Sequence, residues 1–249
     1  MADADGPFPK LRSSPDGPHP ALARIGGATI ADRLRSACEA IEGRLVFTTS
    51  FGIEDQLIAH QIFTERLPIE VVTLDTGRLF PSTYTLWQET EERYGVRIKA
   101  FYPNAEAVAA LVADQGINGF YHSKDARVSC CNVRKVEPLL RALEPYGAWV
   151  SGIRREQSPS RAGTPKVEWS GRYDVWKIHP LADWSEDRVW RYILDNDIPY
   201  NPLHDAGYRS IGCIPCTRPT RPDEEERAGR WAGSDKLECG LHVEKGPDE

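Results

Sequence analysis

The chain has no run of about 18 or more apolar residues, the length a helix needs to cross a bilayer, and its N-terminus lacks the apolar core of a signal peptide. A soluble, cytoplasmic protein without a membrane partner is therefore expected. Basic residues are outnumbered, 31 Lys and Arg against 37 Asp and Glu, for a formal net charge of -6. A general electrostatic footprint for nucleic acid is missing, so no nucleic-acid partner is expected and any anion must meet a local basic site. Six cysteines in 249 residues are too few for a disulfide scaffold. No G-x-x-x-x-G-K-[ST] occurs, which excludes a Walker phosphate loop, and there is no internal repeat.

Four of the cysteines stand in two tight pairs, Cys130-Cys131 and Cys213-Ile-Pro-Cys216. A Cys-x-x-Cys turn lets two sulfurs converge on one centre, and Pro215 stiffens it. Adjacent residues on a strand would point their sulfurs to opposite faces, so Cys130 and Cys131 can share a target only where the chain turns, as on entering a helix. A single zinc ion suits spaced pairs, whereas an iron-sulfur cluster offers several metal corners to diverging ligands. The composition of the two pairs therefore favours a 4Fe-4S cluster over zinc. A buried pair of thiols or a vicinal disulfide is the plainer reading of either pair alone. Cys38 falls in a helical apolar pattern with Ile30, Leu34, Ala37 and Ile41, and is expected to pack in a core.

Residues 1–25, rich in proline, read as a disordered arm, and 243–249 as a disordered end. Between them a single domain over 26–242 is expected, with a mobile C-terminal tail from about 217. A helix is predicted over about 29–42, then strands at Leu45–Thr49, Ile69–Leu74, Val96–Phe101 and Ala148–Ile153. Helices fall between them at Glu54–Glu65, from Pro81 to about Tyr94, after an Asn104 cap to Gln115, and over Asn132–Leu143 following a polar loop. Val167–Ile178 reads as a hairpin, and Ser185 caps a helix to about Asn196. Strands alternating with helices of this length imply an α/β fold, a mostly parallel sheet covered on both faces, with a loop-rich C-terminal extension.

In such a sheet, ligands sit beyond the carboxyl ends of the strands. Thr49–Asp55, Leu74–Arg78, Gly152–Arg155 and the loop before Cys130 all fall there. Together with Lys135, Arg154-Arg155-Glu-Gln-Ser-Pro-Ser-Arg161, Cys213-Ile-Pro-Cys216 and Glu238-Cys-Gly-Leu-His242, these stretches resemble the assimilatory sulfonucleotide reductases in order over residues 30–242. The resemblance implies a PP-loop fold of the adenine-nucleotide alpha-hydrolase type. For members with four such cysteines it implies reduction of adenosine 5'-phosphosulfate (APS) to sulfite and AMP; members using the 3'-phosphorylated substrate usually lack them. By the same resemblance, Cys130, Cys131, Cys213 and Cys216 hold the 4Fe-4S cluster, Cys239 is the nucleophile, and thioredoxin or glutaredoxin is the reductant. The substrate contacts it suggests are Thr49, Ser50, Gly52, Asp55, Leu74, Asp75, Thr76, Gly77, Lys135, Gly152, Arg154, Arg155, Arg161, Arg227 and Arg230, with Lys135 and His242 assisting Cys239. Phe51 stands where many relatives have serine, so no hydroxyl contact is carried over to it.

The chemistry asks for such residues. A thiolate attacking an anionic sulfate meets like charge, and the leaving nucleotide gains more, so fixed cations are needed. Arg227 and Arg230 follow Glu224-Glu-Glu226 and also read as a solvated charged run; their match to the family's R-A-G-R-W assigns them to the substrate. His19, His60, His122, His179 and His204 have no ligand-like spacing and read as structural or solvent-facing. Rival readings are reduction of the 3'-phosphorylated substrate, a PP-loop iron-sulfur tRNA-thiolating enzyme, and a zinc-binding interaction module. Homo-oligomerisation is left open.

Overall fold

A computed structural model describes residues 24–41, 43–231 and 241. Residues 1–23 of the expected N-terminal arm, the expected C-terminal end at 243–249, Cys239 and His242 lie outside the described residues; Ile25 packs against the apolar core.

Six strands form one sheet in the order β3-β2-β1-β4-β6-β5, where β1 is Leu45–Thr49, β2 Ile69–Leu74, β3 Lys99–Phe101, β4 Ala148–Val150, β5 Val167–Ser170 and β6 Val175–Ile178. All neighbours run parallel except β5 and β6, which pair antiparallel as the predicted hairpin. Alternation along β1 sends Leu45 and Phe47 to one face and Val46 to the other. On the first face they meet α1 (Ile30–Ala40) and α2 (Ile53–Thr64), with Val189 and Ile193 of α7 (Glu186–Asp195); on the second, Leu139 and Leu143 of α6 (Glu137–Leu143) pack with Trp149 and Tyr173. Both faces are thus covered, as the pattern of the sequence implies. Each large apolar side chain buried in this way stabilises the fold by roughly 1.5–3 kcal/mol. Cys38 packs against the first core.

Local signals place the remaining helices. Thr29 caps α1 in a reciprocal capping box with Asp32, Pro81 opens α3 (Pro81–Tyr94), Asn104 caps α4 (Ala105–Gln115), and Ser185 caps α7. Two strands are shorter than expected. Val96 donates its N–H to Glu91 O and Ile98 to the Glu91 carboxylate, so the end of α3 takes the donors that would extend β3. β4 stops at Val150, after which the chain leaves the sheet toward the turn at Arg155–Gln157.

The polar loop predicted before Cys130 is a correction. Lys124–Cys131 is a helix, α5, started by Ser123, whose Oγ accepts from Ala126 N. It reads as loop in the sequence because only Ala126 and Arg127 are buried, leaving no apolar stripe. α5 runs into a π-helical turn, Asn132–Val136, before α6. Among the described residues no helix is long and apolar enough to cross a membrane.

Candidate active site

β1 and β2 end side by side, and the loops leaving them floor a cleft open to solvent. Polar backbone groups and charged side chains converge there on an apolar floor, the usual make-up of a small-molecule site. After Thr49 the chain must turn at once into α2, whose N-cap is Gly52. Phe51 makes that turn at φ 62°, a left-handed conformation that strains a bulky residue. Its ring is 2% exposed and stacks on Trp87 with centroids 5.6 Å apart, and its N–H donates to Thr49 Oγ1 at 3.0 Å. The Phe51 side chain thus serves the core.

Ser50 donates from its N–H and Oγ to Asp55 Oδ2, at 2.6 and 2.7 Å. Burial pushes the Asp55 carboxyl up to about 6, against the Ser50 hydrogen bonds and the nearby Arg161 guanidinium. β4 delivers Ser151, Gly152 and Ile153 to the same cleft. A Cβ on Gly152 would overlap Asp55 Oδ1 and lie 3.0 Å from Glu54 Cβ, so only glycine lets this loop pass α2 so closely.

The opposite wall comes from residues 204–230, with Leu241 beside them. Thr217 and Arg230 form an isolated antiparallel bridge, Arg218 N–H donates to Gly229 O at 2.9 Å, and Trp231 N–H donates to Cys216 O at 3.0 Å. The Arg230 guanidinium lies against Gly212, where a Cβ would overlap it, and 4.7 Å from the Trp231 ring centroid. Arg227 stacks on the same ring at 5.4 Å. Lys135, from the π-helical turn, and Arg161 complete the cationic lining.

Other predicted contacts do not line the cleft. Arg154 is 0% exposed and donates to Glu54 Oε1 at 2.8 Å and Glu226 Oε2 at 2.7 Å, pinning the second wall to the floor from beneath. Burial and the neighbouring Glu54 raise the Glu226 carboxyl to about 7, against the pull of Arg154. Arg155 turns away and donates to Thr164 O at 2.8 Å. Asp75 Oδ1 accepts from Gly77 N and Tyr84 OH, both at 2.8 Å, and so shapes the β2 loop. Gly77 takes φ 67° beneath Arg134, whose Nη1 donates to Thr76 O at 2.7 Å.

Cys130 and Cys131 occupy the last turn of α5, and Cys213 precedes a single 3-10 turn, Ile214–Cys216, that Cys216 ends. No disulfide joins any of them. Cys130 lies within electrostatic range of the other three, and burial, then Cys131, pushes its thiol up to about 11. Burial, then Cys213, also raises Cys216. Cys213 Sγ lies 3.3 Å from Thr76 Oγ1, so the thiols abut the cleft floor. Among the described residues no three His, Cys, Asp or Glu side chains converge as one metal ion requires.

Residues 44–219 match the family described as phosphoadenosine phosphosulfate reductase domain. The chain belongs to that family. The matched span of this reductase domain holds the floor, Lys135 and both cysteine pairs, and stops before Arg227 and Arg230. The chain is 51% identical over 223 residues to the adenosine 5'-phosphosulfate reductase of Agrobacterium fabrum, covering 89% of this chain and 85% of that protein. The Allochromatium vinosum protein of the same name is 48% identical over 217 residues, 86% of this chain and 84% of its own. Among solved structures, the phosphoadenylyl-sulfate reductase of Candida auris, in a phosphate complex, superposes with a TM-score of 0.66 at 28% identity, covering 76% of this chain and 90% of that one.

Within this reductase fold the cleft gathers Thr49, Ser50, Gly52, Asp55, Leu74, Thr76, Lys135, Gly152, Arg161, Arg227 and Arg230 from the predicted set. Sequence reasoning missed Ser151, His204, Arg209, the Ser210-Ile-Gly212 stretch and Glu226, which also line it. Only Gly212, directly before the second cysteine pair, carried a local cue. The others are ordinary residues until the chain folds back.

Proposed function

We propose that this chain reduces APS to sulfite and AMP in the cytoplasm, in assimilatory sulfate reduction and cysteine biosynthesis. The observation that carries the reading is the cleft: Lys135, Arg161, Arg227 and Arg230 converge over the loop that opens α2, in a chain about half identical to proteins named APS reductase. The N-terminus of α2 supplies backbone N–H groups to an anion, and the cations offset the charge that develops as a thiolate approaches a sulfate. Arginine suits the planar fork of phosphate or sulfate oxygens, while Lys135 acts as a point charge.

In this reading the Cys239 thiolate attacks the sulfate sulfur, the S–O bond to the nucleotide breaks, and AMP leaves with the electron pair. Cys239 then carries an S-sulfonate. A thiolate of reduced thioredoxin or glutaredoxin attacks Cys239 Sγ, releasing sulfite. The second thiol of that protein closes its own disulfide and returns Cys239 as a thiolate, so the dithiol supplies both electrons. His242 assists the tail.

Cys130, Cys131, Cys213 and Cys216 fit a 4Fe-4S cluster by the chemistry of the donor set, four neighbouring thiols. When bound, such a cluster would hold the two cysteine segments together and tune the field near Lys135.

Anaerobically purified protein should contain iron and acid-labile sulfide and release sulfite from APS with reduced thioredoxin; one tightly held zinc and no sulfide would sink the cluster assignment. Cys239→Ser should keep its iron and bind APS yet release no sulfite. Wild type without reductant should yield one equivalent of AMP and a sulfonate adduct on the Cys239 peptide; an adduct elsewhere removes Cys239 from the role. Because the family description and the Candida auris enzyme concern the 3'-phosphorylated substrate, rates on both substrates should be compared directly. A preference for the 3'-phosphorylated one would reverse the assignment.

A further inference from the structure

Ser151, the first residue past β4, is 4% exposed and lies on the cleft wall beside Gly152. Its Oγ is 2.8 Å from His179 Nδ1, and His179 Nε2 is 3.1 Å from Glu168 Oε1. His179 is 0% exposed, so this chain of hydrogen bonds runs from the sheet edge through the interior to the cleft.

The direction of each hydrogen bond follows from donor and acceptor capacity. Glu168 is held below the usual carboxylate range by its bond to His179, so it is ionised and can only accept. Burial lowers His179, which keeps the imidazole neutral with one N–H. That proton belongs on Nε2, facing Glu168, which leaves a lone pair on Nδ1. The Ser151 hydroxyl must then donate to Nδ1. Its own N–H is taken by Ile178 O at 3.0 Å. An ordinary serine hydroxyl rotates to suit its ligand; this one turns only lone pairs toward the cleft.

We propose that Ser151 Oγ is a fixed hydrogen-bond acceptor that selects a donor group of the bound nucleotide, a ribose hydroxyl or the exocyclic amine of the base. Glu168 and His179 are its positioning residues. The inference rests on the nucleotide reading of the cleft.

Calorimetric titration of AMP, 2'-deoxy-AMP, 3'-deoxy-AMP and IMP into the cluster-loaded protein and its Ser151→Ala variant tests it. In wild type, the analogue lacking the selected donor should bind about 5- to 100-fold more weakly than AMP, because it leaves a buried acceptor unpaired. Which analogue fails separates ribose from base. In Ser151→Ala that ratio should collapse toward unity. Ratios unchanged by the substitution, or analogues that all match AMP in wild type, overturn the proposal. A wild-type protein that binds no AMP overturns the nucleotide reading and this inference with it. Independently of any variant, ¹⁵N spectra of histidine-labelled protein should show His179 as the Nε2–H tautomer; the Nδ1–H tautomer overturns the acceptor assignment.

Discussion

The two walls of the cleft are built by opposite means. Its floor consists of strand ends held in parallel register over two apolar cores, with Val46, Phe47 and Val150 all 0% exposed. The facing segment, 201–231, has one 3-10 turn and one isolated bridge as its regular structure. It is held by directed polar contacts: Asn201 to Thr83, Arg209 to Glu186, Arg218 to Glu224 and Glu226 to Arg154. Apolar burial is spread over many atoms and tolerates small changes, whereas a buried ion pair fails when one partner goes. The floor therefore sets the shape of the site, and the buried Arg154–Glu226 pair anchors the segment that carries Arg227 and Arg230.

The largest break in this comparison should come from Arg154→Ala, which strands Glu54 and Glu226 as buried carboxylates. A loss of about 3–5 kcal/mol is expected in denaturant unfolding. An unchanged midpoint would show the second wall to be anchored elsewhere.

Asp55 gives the next effect, through pH. Its carboxyl ordinarily titrates near 3.8 and is pushed up to about 6 by burial. Between those values the folded protein keeps a proton that the unfolded chain has lost, so this group's contribution to stability falls as pH rises through the window and is flat above it. Relative to Asp55→Asn, wild type should lose at most about 1.4 kcal/mol per pH unit there. Parallel stability curves for the two proteins would contradict the shift.

Two glycines sharpen the contrast. Gly152→Ala would drive a Cβ into Asp55 and Glu54 at the head of α2, and should cost about 1–3 kcal/mol of stability. Gly212→Ala meets only the guanidinium end of Arg230, which can move. Its thermal stability should stay within about 0.5 kcal/mol of wild type, while affinity for APS drops as Arg230 is displaced. Equal stability losses in the two variants would erase the distinction between the walls.

The strands and helices of the core were legible in the sequence because each carries its own signal: β-branched runs at β1 and β2, caps at Asn104 and Ser185, and Pro81 at a helix start. α5 was not, since a short helix with almost no buried face leaves no period to read. The cationic set was half legible. Lys135, Arg161, Arg227 and Arg230 line the cleft, but Arg154 and Arg155, adjacent in the same motif, face a buried carboxylate pair and a loop carbonyl instead.

Residue order alone determined the α/β architecture, the two cysteine pairs and the kinship with sulfonucleotide reductases, because periodicity, caps and motif spacing are properties of neighbours along the chain. Only the tertiary structure decided that Arg154 is an internal clamp, that Gly212 seats Arg230, and that Ser151, His179 and Glu168 join in one line of hydrogen bonds. The hydrogen bonds of the first and last bring atoms within about 3 Å across gaps of 11 to 100 residues, and no local pattern records such a distance.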